Sequence, residues 1–233
     1  MSKTASYDEL NVRELDNRRS EPYSQYFNKM SLTEGEKNMR IAFSENMEEA
    51  ILYILALAAI MIENDEVDKE YLTTQLYERY IDVASEYLPV DSYVKQYANE
   101  ISKQIVAATF LYGENSSIIG EDTKSEGSKD SKVNPNDYYL SNDRAMFISE
   151  CEANSILNYK EYSDALESGK KTKTWIDVGD KRERKTHLEV GGTTIPIKEL
   201  FVVGNSLMLF PKDTSQSPST NEIVNCRCSA RYS

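Results

Sequence analysis

The chain carries one histidine, one tryptophan, six prolines and three cysteines in 233 residues. Cysteine is absent from the first 150 positions and the total is odd, which excludes a disulfide scaffold as the organising principle. Long hydrophobic runs are also missing. The longest, Ile51 to Ile62, has 12 residues where a membrane-spanning helix needs about 20, and acidic residues flank it, so it reads as a buried helix. The N-terminus, MSKTASYDEL, has no apolar stretch of signal-peptide type, which speaks against export by that route. The patterns G-x-x-x-x-G-K-[ST], H-E-x-x-H and G-x-S-x-G do not occur, removing the direct marks of a P-loop NTPase, a zinc protease and an α/β-hydrolase. No cofactor is expected. A single tryptophan and no RNP-like aromatic series leave base-stacking modules without support.

An excess of positive charge is lacking too. Lys and Arg number 27 against 39 Asp and Glu, a formal charge of −12 with a pI near 4.7, which excludes a surface that binds polyanions throughout. The charge is unevenly divided. Residues 1–169 hold 16 basic and 32 acidic side chains, and residues 170–233 hold 11 and 7, so the two parts carry about −16 and +4. Two units with different surroundings account for this; so does a solvated acidic helical face.

What is present is helical periodicity. Residues 5–112 read as helices. Ser31 and Glu34 have capping-box spacing for a helix that runs through the apolar stretch and stops near Asn64. A second stripe places Leu72, Leu76, Tyr80, Val83 and Tyr87 together, and a third, after Pro89, places Val94, Tyr97, Ile101, Ile105 and Phe110. Residues 113–141 are rich in Gly, Ser, Asn and Asp without periodicity, and read as a linker or exposed loop. A further helix is expected from Asn142 to Ser168, capped by Ser141 and ended by Gly169. Beyond it come strand-like pieces at Thr172–Val178, Thr193–Ile197, Leu207–Phe210 and Glu222–Ser229. The expected fold class is α+β: an antiparallel helical bundle over 1–112, followed by a small α+β domain over 142–233.

In that last segment the order of residues is itself a pattern. Trp175-Ile176 precede Gly179-Asp180-Lys181-Arg182-Glu183-Arg184 and Thr186-His187; Gly191-Gly192, Ile195-Pro196, Phe201 and Leu207-Met208 follow; Pro211-Lys212-Asp213 and Ile223-Val224-Asn225-Cys226-Arg227-Cys228 close it. The segment resembles the C-terminal domain of phage Mu F-type minor head proteins, or head morphogenesis proteins. That family carries a tryptophan strand, a G-D-x-R-x-R-x-x-H segment, an I-P step, a P-x-D turn and a terminal N-C-R-C. Arg144, Ile148, Glu150 and Glu152 fall where the family has an R-x-x-x-I-x-R-x-E-like helix, while Ser149 and Cys151 depart from it. The resemblance covers about 142–233; residues 1–141 agree only in being a variable helical region. It implies a structural, non-enzymatic protein of a tailed-phage or prophage particle, in the virion head interior or at the portal vertex, and in the host cytoplasm during assembly. Its implied partners are the portal protein and inner capsid proteins, with roles in head morphogenesis, DNA packaging or ejection, and no membrane.

Three readings compete for the chemistry-bearing residues. His187, Cys226 and Cys228 are standard zinc donors, with Cys151 or Asp180 as a fourth; yet C-x-C on a strand puts both thiols on one face, unlike the usual C-x₂₋₄-C, and packing of buried reduced thiols is the alternative. Asp180, Arg182, Arg184 and His187 offer acid, base and electrostatic groups for a ribonuclease-like toxin or effector, with Glu183 or Glu189 as a second proton carrier. The same residues, with Arg227, serve equally as a polar network that pins loops to a sheet. Lys170, Lys171, Lys173, Lys181, Lys185 and Arg231 are candidates for phosphate contacts to DNA or for a partner surface.

Overall fold

The computed structural model describes residues 27–113, 135–179 and 183–233. The expected linker lies mostly outside these, as do the first 26 residues and Asp180, Lys181 and Arg182.

Helix α1 (Glu34–Glu63) begins at a capping box between Thr33 and Glu36: the Thr33 side chain accepts from Glu36 N–H and the Glu36 carboxylate accepts from Thr33 N–H. The start is therefore two residues later than the Ser31 and Glu34 spacing suggests. Both pairs have the right spacing, but Glu36 also pairs with Arg231 at 2.9 Å, while the Ser31 carbonyl accepts from the same guanidinium. Burial alone would raise the Glu36 carboxyl; the hydrogen bonds from Thr33 and Arg231 outweigh it and hold the group below its usual range. The helix ends at Asn64, as expected. Asp68 caps α2 (Lys69–Ser85) through Tyr71 N–H. Asp91 accepts from Val94 N–H at the start of α3 (Ser92–Gly113).

The stripes read from the sequence face inward. Leu72, Leu76 and Tyr80 of α2 and Val94, Tyr97, Ile105 and Phe110 of α3 are buried with Phe43, Met47, Ile51 and Ile54 of α1; Val83, Tyr87 and Ile101 pack at the rim. Helix α4 (Asn142–Glu167), capped by Ser141 and followed by Gly169 at φ +75°, adds Ala145, Ala153, Ile156 and Leu157 to that same core. The helix that opens the expected C-terminal unit is thus packed among the helices of the expected N-terminal one. A 3-10 helix at Pro135–Leu140 leads into it.

Strand β1 (Thr172–Ile176) is central in a three-stranded antiparallel sheet, flanked by β2 (Thr194–Pro196) and β5 (Ser229–Tyr232). Trp175 faces Ala230 across the β1 and β5 pair, and Lys173 faces Ile195 across β1 and β2. A short helix α5 (Lys185–Val190) lies between β1 and β2, and β3 (Phe201–Val203) pairs with β4 (Ser206–Met208) as a separate hairpin. Residues 222–229, expected as strand, contain the end of a helical turn α6 (Thr220–Ile223) and a loop; only Ser229 belongs to a strand. Asn225 at φ +56° breaks any extended run there. The fold is a mixture of helices and small antiparallel sheets, and no described helix is long and apolar enough to cross a membrane.

Because the α1 box satisfies two backbone donors, Thr33→Ala is expected to lower the free energy of urea unfolding by about 1 kcal/mol. A loss of under about 0.3 kcal/mol, within the scatter of ordinary surface substitutions, would show that the box does not hold the helix start.

Candidate functional site

The residues at the end of the family-like pattern meet in space. Alternation along β1 sends Lys173 and Trp175 to the interior, both fully buried. Trp175 meets the His187 ring edge-on, with centroids 5.8 Å apart, and Phe201 at 5.2 Å. One turn of α5 presents His187, 2 % exposed, whose Nε2 lies 3.1 Å from Glu222 Oε2. On its other side, Nδ1 lies 3.4 Å from Cys228 Sγ and 3.7 Å from Cys226 Sγ. The C-x-C pair therefore does not lie on a strand. The left-handed Asn225 and the following loop bring both thiols to Nδ1 of the ring.

Polar atoms around this point are ordered. Cys228 N–H donates to Cys226 Sγ, and Glu183 accepts from Val178 N–H at 3.1 Å and Gly179 N–H at 2.8 Å, while its Oε1 lies 3.7 Å from Cys228 Sγ. The Cys228 thiol and the imidazole pull the Cys226 thiol well below its ordinary pKa, and the hydrogen bond with Cys226, burial and the charge at Cys226 drive the Cys228 thiol up. Burial alone would lower the His187 pKa; hydrogen bonding and charge at Cys226 outweigh it and raise it. Arg184 donates to the Val224 carbonyl. The partner of His187 is Glu222, not Glu183 or Glu189, and Cys151 stands apart from the pair, its Sγ 3.8 Å from Asn225 Oδ1.

The cysteine loop is held from below by α4. Asn154 Nδ2 donates to the carbonyls of Cys226 and Cys228, and Asn158 Nδ2 to those of Pro211 and Cys228. Their side-chain oxygens accept from Arg40 of α1, which is fully buried and also pairs with Glu161 at 2.6 Å. Composition could not reveal this set, although two asparagines at i and i+4 on the inner face of a helix were its mark. Arg144 is likewise structural: it donates to Thr109 Oγ1 and to the Tyr139 and Ile105 carbonyls, and burial lowers its pKa to about 10. Glu152 accepts from Tyr80 and Tyr97, and burial raises its carboxyl. Glu150 is also buried.

Pro211 and Asp213 make a buried turn in which Asp213 accepts from Leu209 and Ser215 N–H, and the left-handed Lys212 reaches the Cys151 carbonyl. Of the expected phosphate contacts, Lys170, Lys171 and Lys185 are exposed. Lys173 is not: its ammonium donates to the Leu209 carbonyl and lies over the Tyr162 and Phe201 rings, because β1 alternation turns it inward. Arg231 is engaged by Glu36 and Ser31. A groove of about 620 Å³ between α3 and residues 214–223 meets the pattern only at Ile223.

Compared with family models, curated proteins and solved structures, the chain matches none.

Burial lowers the Lys173 pKa from 10.5 to about 8. Above about pH 8 the folded chain releases this proton while the unfolded chain keeps it up to 10.5, so the unfavourable contribution present below pH 8 is lost as pH rises. Thermal unfolding of Lys173→Met is expected to lack that rise in stability between pH 8 and 10.5. An identical pH dependence in both proteins would contradict the assignment.

Proposed function

We propose that this chain is a structural minor head protein of a tailed phage or prophage. In this reading a helical N-terminal body engages the portal and inner capsid proteins, and a small C-terminal α+β unit, joined through residues 113–141, contributes to head morphogenesis or DNA delivery. The carrying observation is the use to which the family-like residues are put. Trp175, His187, Pro211, Asp213, Cys226 and Cys228 are buried. They form a packed framework resting on α4, as a conformational scaffold requires and a reactive cleft does not. A ribonuclease needs its proton carrier to reach a phosphate, and His187, 2 % exposed and flanked by Trp175, Glu222 and two thiols, is badly placed for that.

Exposed Lys170, Lys171 and Lys185 support contacts to DNA phosphates without choice of sequence, and the acidic helical surface suits protein partners. Co-expression with the portal protein encoded in the same element is expected to yield a co-purifying complex, with the chain present in low copy in purified particles. Absence from both procapsids and virions would overturn the proposal.

A further inference from the structure

We propose that His187 Nδ1, Cys226 Sγ, Cys228 Sγ and a Glu183 carboxylate oxygen form a binding site for a single structural divalent cation of zinc type. The inference concerns the chain itself and does not rest on its role in a particle.

Among the described residues, His187, Cys226 and Cys228 form a group of metal donors, all three buried, with ligand atoms within 4.8 Å of one another. The spacing fits one ion at their centre. Zn–S bonds of about 2.3 Å and Zn–N bonds of about 2.0–2.1 Å at a tetrahedral angle set S···N at about 3.6 Å. The two observed separations, 3.4 and 3.7 Å, bracket that value. Zn–O bonds of about 2.0–2.2 Å set S···O at about 3.6 Å as well. Glu183 Oε1 lies 3.7 Å from Cys228 Sγ. A cavity of about 20 Å³ lined by these four residues has room for an ion and none for a substrate. The site is consequently structural.

The surroundings are those of a metal centre. Glu222 beside Nε2 takes the ring N–H, which leaves the Nδ1 lone pair pointing at the two sulfurs. The Cys228 backbone N–H points at Cys226 Sγ, and the buried Trp175 Nε1 has no hydrogen-bond partner among the described residues. Glu183 is fixed by the Val178 and Gly179 amides, so its carboxylate is already oriented. Metal uptake requires both thiols ionised and the imidazole neutral, so whatever protons these three groups hold pass to solvent; with an ionised Glu183 the loaded site keeps one negative charge. The guanidinium of Arg184, close enough to act electrostatically on His187, offsets it. Two thiolates and an imidazole select zinc over magnesium or calcium.

The test uses the full chain, purified under reducing conditions without a metal-affinity step, for elemental analysis and then titration with Co²⁺ after chelation. Stoichiometric zinc, and a tetrahedral cobalt spectrum with a thiolate charge-transfer band that persists in Cys151→Ala, are the expected results. Cys226→Ser and Cys228→Ser, checked for folding by circular dichroism, are expected to weaken that band at least tenfold in cobalt affinity. A folded wild type that takes up no zinc and gives only a six-coordinate cobalt spectrum overturns the site, as does loss of the band in Cys151→Ala. Glu183→Gln is expected to retain the charge-transfer band with a shifted visible spectrum; an unchanged visible spectrum removes Glu183 from the ligand set.

Discussion

A guanidinium buried without water has to find acceptors for its N–H groups and a countercharge, and Arg40 finds both by joining parts of the chain more than a hundred residues apart. Its side chain bonds Asn154, Asn158 and Glu161 of α4, and the two asparagines turn their amide N–H groups to the carbonyls of Pro211, Cys226 and Cys228. Removing one partner of such a buried set costs about 3–5 kcal/mol, because the remaining polar groups cannot be rehydrated. The first helix, the fourth helix and the cysteine loop are therefore bound in one hydrogen-bonded chain, and the order of everything above it depends on that chain being complete.

The loop so held carries the chemistry. Two carbonyls drawn down onto α4 force the Cys226 and Cys228 side chains upward, where the left-handed Asn225 and the α5 turn place them against His187. Trp175 closes the far side from the central strand. The terminal strand then ties back to the start of α1 through Arg231 and Glu36. Charged and polar groups that a composition table would assign to the surface are in this way spent inside, which separates this C-terminal region from a simple basic face. Of the expected phosphate contacts among the described residues, Lys170, Lys171 and Lys185 remain exposed for a polyanion.

Periodicity made the helices legible. The α2 and α3 stripes, the Asn64 stop, the Ser141 cap and Gly169 follow from local spacing and local backbone demands, and local signals are what a sequence displays directly. The start of α1 was ambiguous because two capping boxes overlap, and a contact with Arg231, nearly two hundred residues away, decides between them. The residues of the site were legible as a pattern but not as a geometry. His187, Cys226 and Cys228 were grouped as candidate zinc donors, but reading the cysteines as strand positions counted against that grouping, because a single left-handed residue has no signature in hydropathy. Arg40, Asn154 and Asn158 left only the i, i+4 spacing of the two asparagines as a mark, since their partners are backbone carbonyls, each other and Glu161. Lys173 was misplaced for the opposite reason: charge suggested solvent, and strand alternation overrode it.

If the buried network couples the helices to the sheet, the two cannot unfold separately. Trp175, the sole tryptophan, reports on the sheet and the cysteine loop, while far-ultraviolet ellipticity is dominated by α1 to α4. In a urea titration the two signals are expected to superimpose for the wild type, and in Arg40→Met the tryptophan signal is expected to be lost first, at lower urea than the helical signal. Two separate transitions in the wild type, or an unshifted and still coincident pair in Arg40→Met, would contradict the account.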